Sequence, residues 1–239
     1  MTQTAPLHAS RPAPALPESA ASPADEPATV SAALRASTAT AHERAENSNF
    51  ITELMSGNLD LTSWSRFLEQ LEAIYAALEE VRPTIPADAH IAPLMDERLD
   101  RAEAIRRDLA KVQAETGAAP IGVLPSTAAY AERIRQTAGD PVRYLAHHYT
   151  RYLGDLSGGR IIKVKLDQHY DLAADSAAFF DFGNLQPVPF KRAYRATLDE
   201  WNLGADGLRQ LTEEASASFA ANEAVFAELM QYERVDVAA

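Results

Sequence analysis

At 239 residues with 46% hydrophobic side chains, the chain is long enough for one or two domains with a sizeable core. A formal charge of −12 argues against nucleic acid or an anionic membrane as a general partner, so any anionic ligand must be held by locally placed basic residues. The absence of cysteine excludes disulfides, cysteine nucleophiles and thiolate-held zinc or iron–sulfur sites, leaving six histidines and the carboxylates for metal chemistry.

The first 30 or so residues are rich in Ala, Pro, Ser and Thr and hold six of the 14 prolines. Such a segment lacks the apolar surface to offset its ordering entropy, so residues 1–30 read as a disordered leader. Prolines interrupt it where a secretory signal needs a continuous apolar stretch, and no run reaches the roughly 20 apolar residues of a membrane span. A cytoplasmic protein is expected.

From Ser31 the pattern is helical almost throughout. Leu61, Trp64, Phe67, Leu68, Leu71, Ile74, Tyr75 and Leu78 recur at steps of mostly three or four residues, an amphipathic helix closed by Pro83 and Pro86. Leu99, Ala102, Ile105, Leu109 and Val112 mark another, ended by Gly117 and Pro120, and Tyr130 and Ile134 a shorter one after Ser126. Asp140-Pro141 reads as an N-cap followed by proline at the first helical position, opening a long helix. Residues 179–189 read as a connection broken by Gly183, Asn184, Pro187 and Pro189, followed by helices over about 191–201 and 206–232. Strand-like alternation is nearly absent. The fold class is all-α, with one helical domain over 31–234 and a disordered end at 235–239.

The long helix contains Tyr149-Thr-Arg-Tyr-Leu-Gly-Asp-Leu-Ser-Gly-Gly-Arg160. Each glycine inside a helix costs about 1 kcal/mol relative to alanine, so Gly154, Gly158 and Gly159 together weaken it by roughly 3 kcal/mol. Close helix packing is the ordinary reason for such glycines. Arg151, Gly154, Asp155 and Gly158, however, fall at i, i+3, i+4 and i+7, and a stripe of one cation, one carboxylate and two missing side chains makes a poor core face. It suits a backbone that comes close to a flat or bulky ligand, with a carboxylate beside it to organise polar atoms.

His42 has Glu46 one turn later and Arg35 two turns earlier. Glu46 can take a hydrogen bond from one imidazole nitrogen while the other points at a metal, although a surface histidine with a helical Glu partner is the commoner occurrence. Lys191 and Arg195, also four apart, form either a solvated helix face or a clamp for carboxylates, to which Tyr149 adds a neutral donor. The adjacent His147 and His148 point about 100° apart on a helix, so they read as packing or surface residues rather than joint ligands. Tyr75 lies in the strongly apolar helix, where core packing is the default.

Tyr-Leu-Gly-Asp-Leu-Ser-Gly-Gly at 152–159, preceded by Ala-His-His-Tyr-Thr-Arg, together with Ala-His-Glu-Arg-Ala-Glu-Asn-Ser-Asn-Phe at 41–50, resembles the haem oxygenase family over about 34–229. The resemblance implies a mostly helical domain that sandwiches haem b, both cofactor and substrate, between a proximal and a distal helix. It makes His42 the proximal iron ligand, Glu46 its hydrogen-bond partner, and Gly154 and Gly158 the positions where the distal backbone approaches haem. Asp155 would hold the water network that delivers protons to oxygen, supported by Tyr75 and Arg151 and more weakly by Asn222. Lys191, Arg195 and Tyr149 match the residues that hold the haem propionates. Arg35 stands where many members have lysine, a change that keeps the charge but not the geometry.

The implied reaction uses O2 and electrons from a ferredoxin or flavoprotein reductase to open haem to biliverdin, mainly the IXα isomer, with release of CO and Fe2+. A haem-binding or delivery protein without turnover is the alternative of another class. A carboxylate-bridged di-iron bundle would need two Glu-x-x-His pairs, which the sequence does not offer. Neither nucleic acid nor a membrane is expected as a partner.

Overall fold

Helices supply every regular element among the residues that the computed structural model describes, 29–86, 90–170 and 176–236; these contain no strand. In chain order they are α1 (Val30–Glu46), α2 (Asn49–Met55), α3 (Leu61–Val81), α4 (Ala102–Thr116), α5 (Pro125–Arg135), α6 (Pro141–His148), α7 (Gly154–Tyr170), α8 (Pro187–Asp199) and α9 (Gly204–Asp236). Most of the expected leader, 1–28, lies outside the described residues, as do 237–239. Helix α1 begins at Val30, with Thr29 Oγ1 accepting from Ala32 N–H, and α9 runs on to Asp236.

The local signals act as their chemistry requires. Asp60 caps α3 by accepting from Ser63 N–H at 2.9 Å, and Asp140 caps α6 by accepting from the N–H groups of Val142 and Arg143. Gly117 closes α4 at φ +70°, a left-handed conformation that side chains disfavour. Helix α8 begins earlier than expected. Pro187 stands at its first position, where a missing N–H costs nothing, so a residue read as a breaker is an initiator.

Helix α3 lies at the centre, packing on α4 and α5, while α9 packs along α1, α5 and α6. The expected apolar positions of α3, Trp64 to Leu78, are buried, and Trp64, Phe67, Phe50, Phe226 and Phe180 form one aromatic cluster joining α2, α3, α9 and the segment before α8. Burying each such ring stabilises the fold by about 1.5–3 kcal/mol.

Two buried polar groups tie the irregular segment 176–185 to this frame. The Asp108 carboxylate accepts from Ala178 N–H at 2.9 Å and Phe179 N–H at 2.7 Å, and Arg101 donates to the carbonyls of Phe179 and Asp181. Four backbone groups of this stretch, which contains only a short 3-10 turn at Ala178–Phe180, are thereby satisfied inside the protein.

The helix expected to run unbroken from Pro141 is interrupted. Residues Tyr149–Leu153 form a π-turn, wider than an α-turn, between α6 and α7. Widening the turn rotates the residues beyond it about the helix axis, so Arg151 is buried whereas Gly154 is exposed. The single stripe expected for Arg151, Gly154, Asp155 and Gly158 is thus divided.

Candidate functional site at the π-turn and its neighbours

The π-turn places Arg151 against Tyr75 of α3 and Asn222 of α9. Arg151 Nη2 and Nε donate to the Tyr75 hydroxyl at 3.1 and 3.3 Å, and Nη1 donates to Asn222 Oδ1 at 2.7 Å. Tyr75 in turn donates to the Asp155 carboxylate. The guanidinium also lies 5.0 Å from the centre of the Tyr75 ring, so charge and ring face reinforce the hydrogen bonds. Four residues from three helices and the π-turn, widely separated in sequence, form one chain: Asn222, Arg151, Tyr75, Asp155.

The electrostatics of this chain make Asp155 its titrating member. Burial raises its carboxyl to about 6, against the opposing influences of Arg151, the Tyr75 bond and Arg101. Burial also raises Tyr75 well above its ordinary value, so its phenol keeps its proton. Burial acts to lower Arg151, but Tyr75 and Asp155 outweigh it and hold the guanidinium above its ordinary value. A carboxyl near 6 held by a fixed donor can gain and release a proton around neutral pH.

The three glycines of the stretch play two different roles. A methyl group added at Gly159 would lie 3.0 Å from the Phe180 ring, which would have to give way, so this glycine serves packing inside the chain. At Gly154 and Gly158 an added methyl would meet nothing within 4 Å. Their helical cost is therefore not offset by close packing, and the face they leave clear, next to Asp155, is suited to a large flat group. Asp155 also borders a cleft of about 710 Å³ whose lining includes Leu156, Arg160, Phe180, Phe182 and Leu185.

The expected basic clamp divides between two contacts. Lys191 Nζ donates to Ser157 Oγ at 2.9 Å, tying α8 to the glycine-bearing helix. Burial raises the Tyr149 phenol, while the charges of Arg195 and Arg35 pull it back, so these three side chains share one field. Burial and then Arg195 lower the Lys191 ammonium.

His42 and Glu46 form a third group on the exposed face of α1. Nδ1 lies 3.4 Å from the Glu46 carboxylate, a contact longer than a good hydrogen bond, with the two side chains 50% and 68% exposed. Glu46 engages Nδ1, which leaves Nε2 to face a ligand. The ring packs 5.8 Å from that of Phe219 on α9, three residues before Asn222, so one helix supports both the histidine and the Arg151 cluster.

Of a polar stripe on α9 the family resemblance had picked out Asn222 alone, and Glu214 and Ser218 were missed. Glu214, Ser218 and Asn222, each four residues apart, take His147 with Arg133 and Arg143, then Tyr130, then Arg151. Polar residues at helical spacing inside an apolar helix were the available signal. His147 and His148, 0% and 2% exposed, are packing residues directed at different partners, Glu214 and Tyr194, and neither is at the surface.

Comparison with known proteins places this arrangement in context. Residues 28–228 match the family model described as heme oxygenase. Heme oxygenase 1 of Rattus norvegicus is 34% identical over 205 residues, covering 84% of this chain and 71% of its own, and heme oxygenase of Rhodella violacea is 31% identical over 199 residues, covering 82% and 85%. The crystal structure of heme oxygenase-1 from the cyanobacterium Synechocystis sp. in complex with heme matches with a TM-score of 0.78 at 28% identity, covering 87% of this chain and 97% of that one. The family model spans nearly all of the helical frame and includes every group of the site, so this chain belongs to the haem oxygenase family, whose reaction is the cleavage of haem to biliverdin.

Proposed function

We propose that this chain opens haem mainly at the α-meso carbon, giving biliverdin IXα, CO and Fe2+, and that it takes its electrons from a ferredoxin or a flavoprotein reductase. The observation that carries the reading is the Asn222–Arg151–Tyr75–Asp155 chain beside the clear face of Gly154 and Gly158. The residues fit a porphyrin in three respects: a histidine with one nitrogen engaged, a helix face without side chains, and a cationic group for carboxylates.

When bound, haem supplies the iron centre at which O2 is activated. His42 would hold that iron, with Glu46 engaging Nδ1 and so leaving Nε2 as the ligating atom. Gly154 and Gly158 leave room for the porphyrin under the distal backbone. Lys191, Arg195, Tyr149 and Arg35 fix the two propionates, which sets the in-plane rotation and so the meso carbon that reacts. Asp155 carries the transferable proton at its carboxyl, Tyr75 holds that carboxyl in place, and Arg151 fixes Tyr75. Asp155 beside the clear glycine face would give bound haem a weak proton donor rather than a strong acid.

The test is to load the full chain with haem, add reductant with catalase, and follow biliverdin by absorbance, CO by trapping, and the isomer by chromatography. Biliverdin IXα with CO supports the reading; a stable haem complex without turnover would make the chain a carrier instead. Replacing His42 with Ala should change the ferric Soret and visible bands at neutral pH, and an unchanged spectrum would remove His42 as ligand.

A further inference from the structure

Helix α8 carries Lys191 and Arg195 but is held to the protein by few groups. Its fully buried side chains are Tyr194 and Leu198, and Asp199 ties its end to α1 by accepting from the backbone N–H and hydroxyl of Ser31. Tyr194 lies three residues after Lys191 and directly before Arg195, so whatever fixes Tyr194 fixes the bearing of both cations.

His148 provides that fixation. It is the last residue of α6, immediately before Tyr149 and the π-turn. Its Nδ1 lies 2.9 Å from the Tyr194 hydroxyl, and the two rings stack at 13° with centroids 5.7 Å apart. The imidazole is itself bracketed by Tyr152, edge-on at 4.6 Å, and by Tyr144 at 5.8 Å, and Tyr144 is anchored to the Leu78 carbonyl of α3. A path of contacts therefore runs from the Leu78 carbonyl of α3 through Tyr144 and the imidazole to the hydrogen bond with Tyr194 in the middle of α8. Burial drives His148 down to about 3, so the ring stays neutral at any working pH and the link is permanent. Tyr149 follows His148 in the chain, and its ring lies 6.5 Å from that of Tyr194, so Tyr149 and α8 meet at the same tyrosine.

We infer that His148, acting through Tyr194, is a positioning residue for regioselectivity: it sets the angle of α8, and hence of Lys191 and Arg195, against the π-turn, which fixes the meso carbon that is cleaved. This rests on the proposed role of Lys191 and Arg195 as propionate clamp. It predicts that breaking the His148–Tyr194 bond redistributes the product isomers before it abolishes turnover, because the iron ligand and the Asp155 cluster are untouched.

The experiment compares the haem-loaded full chain with Tyr194→Phe, His148→Phe, His148→Asn and Arg195→Ala, reading the biliverdin isomer ratio and the melting temperature. Tyr194→Phe removes only the hydroxyl and should raise the minor isomers at least fivefold, with total turnover within threefold of the parent. His148→Phe should do the same, and His148→Asn, whose amide reaches the Nδ1 position, should restore the parental ratio. Unchanged isomer ratios in both phenylalanine variants, or in Tyr194→Phe alone if His148→Phe does not fold, would overturn the inference. A shift in Arg195→Ala alongside unchanged ratios in those variants overturns the positioning role and keeps the clamp. An unchanged ratio and haem affinity in Arg195→Ala overturns both.

Discussion

Glu214 and Asp155 are both carboxylates set among packed helices with arginine in reach, yet the first is held at about 2 and the second at about 6. Burial pushes each upward. At Glu214 it is outweighed by direct donors: His147 Nε2 at 2.8 Å, Arg133 Nε at 2.7 Å and Nη2 at 3.0 Å, and Arg143 Nε at 3.0 Å. At Asp155 the charge of Arg151 arrives through an intermediary, since the guanidinium bonds to Tyr75 and Tyr75 to the carboxylate. Direct pairing makes a permanent anion that joins α5, α6 and α9; pairing through a phenol leaves a carboxyl able to change its protonation state. The interposed tyrosine separates a fixed anion from a carboxyl that titrates near 6.

The comparison breaks most visibly by removing Asp155. Asp155→Ala should keep haem binding and lower the rate of biliverdin formation at least 100-fold, a loss of about 3 kcal/mol of transition-state stabilisation, as expected for a positioned general acid. Parental turnover in that variant would strip Asp155 of its role. Glu214→Gln should have the opposite profile: about 3 kcal/mol of stability lost, because two arginines lose their counter-charge and His147 a charged hydrogen-bond partner, while the folded fraction turns haem over normally. For a chain of this size that corresponds to a fall in melting temperature of roughly 6–12 °C. Thermal melts beside turnover rates per bound haem separate the two variants.

The pH dependence of stability sharpens the contrast, since the two carboxyls carry opposite signs. Glu214 is depressed in the fold, so its contribution is complete above its ordinary value of 4.5 and is lost as pH falls toward 2. Asp155 is raised from 3.8 to about 6, so the folded state binds the extra proton between those values. Its charge becomes a liability as pH rises through that window. Asp155→Asn should therefore melt higher than the parent at pH 7.5, by of order 1–2 kcal/mol, with the difference vanishing below pH 4. A difference that is constant across pH would contradict the raised carboxyl.

Most of the helical frame was legible because its signals are local. The spacing from Leu61 to Leu78, the Asp140-Pro141 start and the Gly117 stop each depend on neighbours within a turn or two, and α3, α6 and α4 obey them. The π-turn was not legible. It depends on Arg151 reaching Tyr75, 76 residues away, and Asn222, 71 residues away, and no periodicity encodes such partners. The same limit applies to the site. His42 with Glu46 and Lys191 with Arg195 could be paired from spacing alone, but Tyr75 looked like core, and only the family resemblance set it beside Asp155. It proved to be both: fully buried, with its hydroxyl at the centre of the polar chain. The Glu214, Ser218 and Asn222 stripe was readable in principle, yet Leu211, Phe219 and Phe226 on the same helix already accounted for its packing.

The smallest expected effect tests the far end of the Asp155 chain. Asn222→Ala removes one of the three hydrogen bonds on Arg151, the 2.7 Å bond from Nη1, and leaves both bonds to Tyr75. Arg151 is 8% exposed, so water reaches the vacated donor poorly, and the loss should be about 1 kcal/mol, since the deleted side chain leaves a small polar space. If Asn222 acts by steadying Arg151, and Arg151 by steadying Tyr75, that loss reaches Asp155 attenuated through two joints. Biliverdin formation should fall about three- to tenfold, with the upper pH limb of turnover moved by less than about half a unit. A loss as large as that of Asp155→Ala would mean that Asn222 handles the proton path itself. An unchanged rate with lowered stability would make it an anchor of the Glu214 kind, and the division of α9 into an anchoring end and a proton-handling end would then lie beyond Asn222 rather than between Glu214 and Asn222.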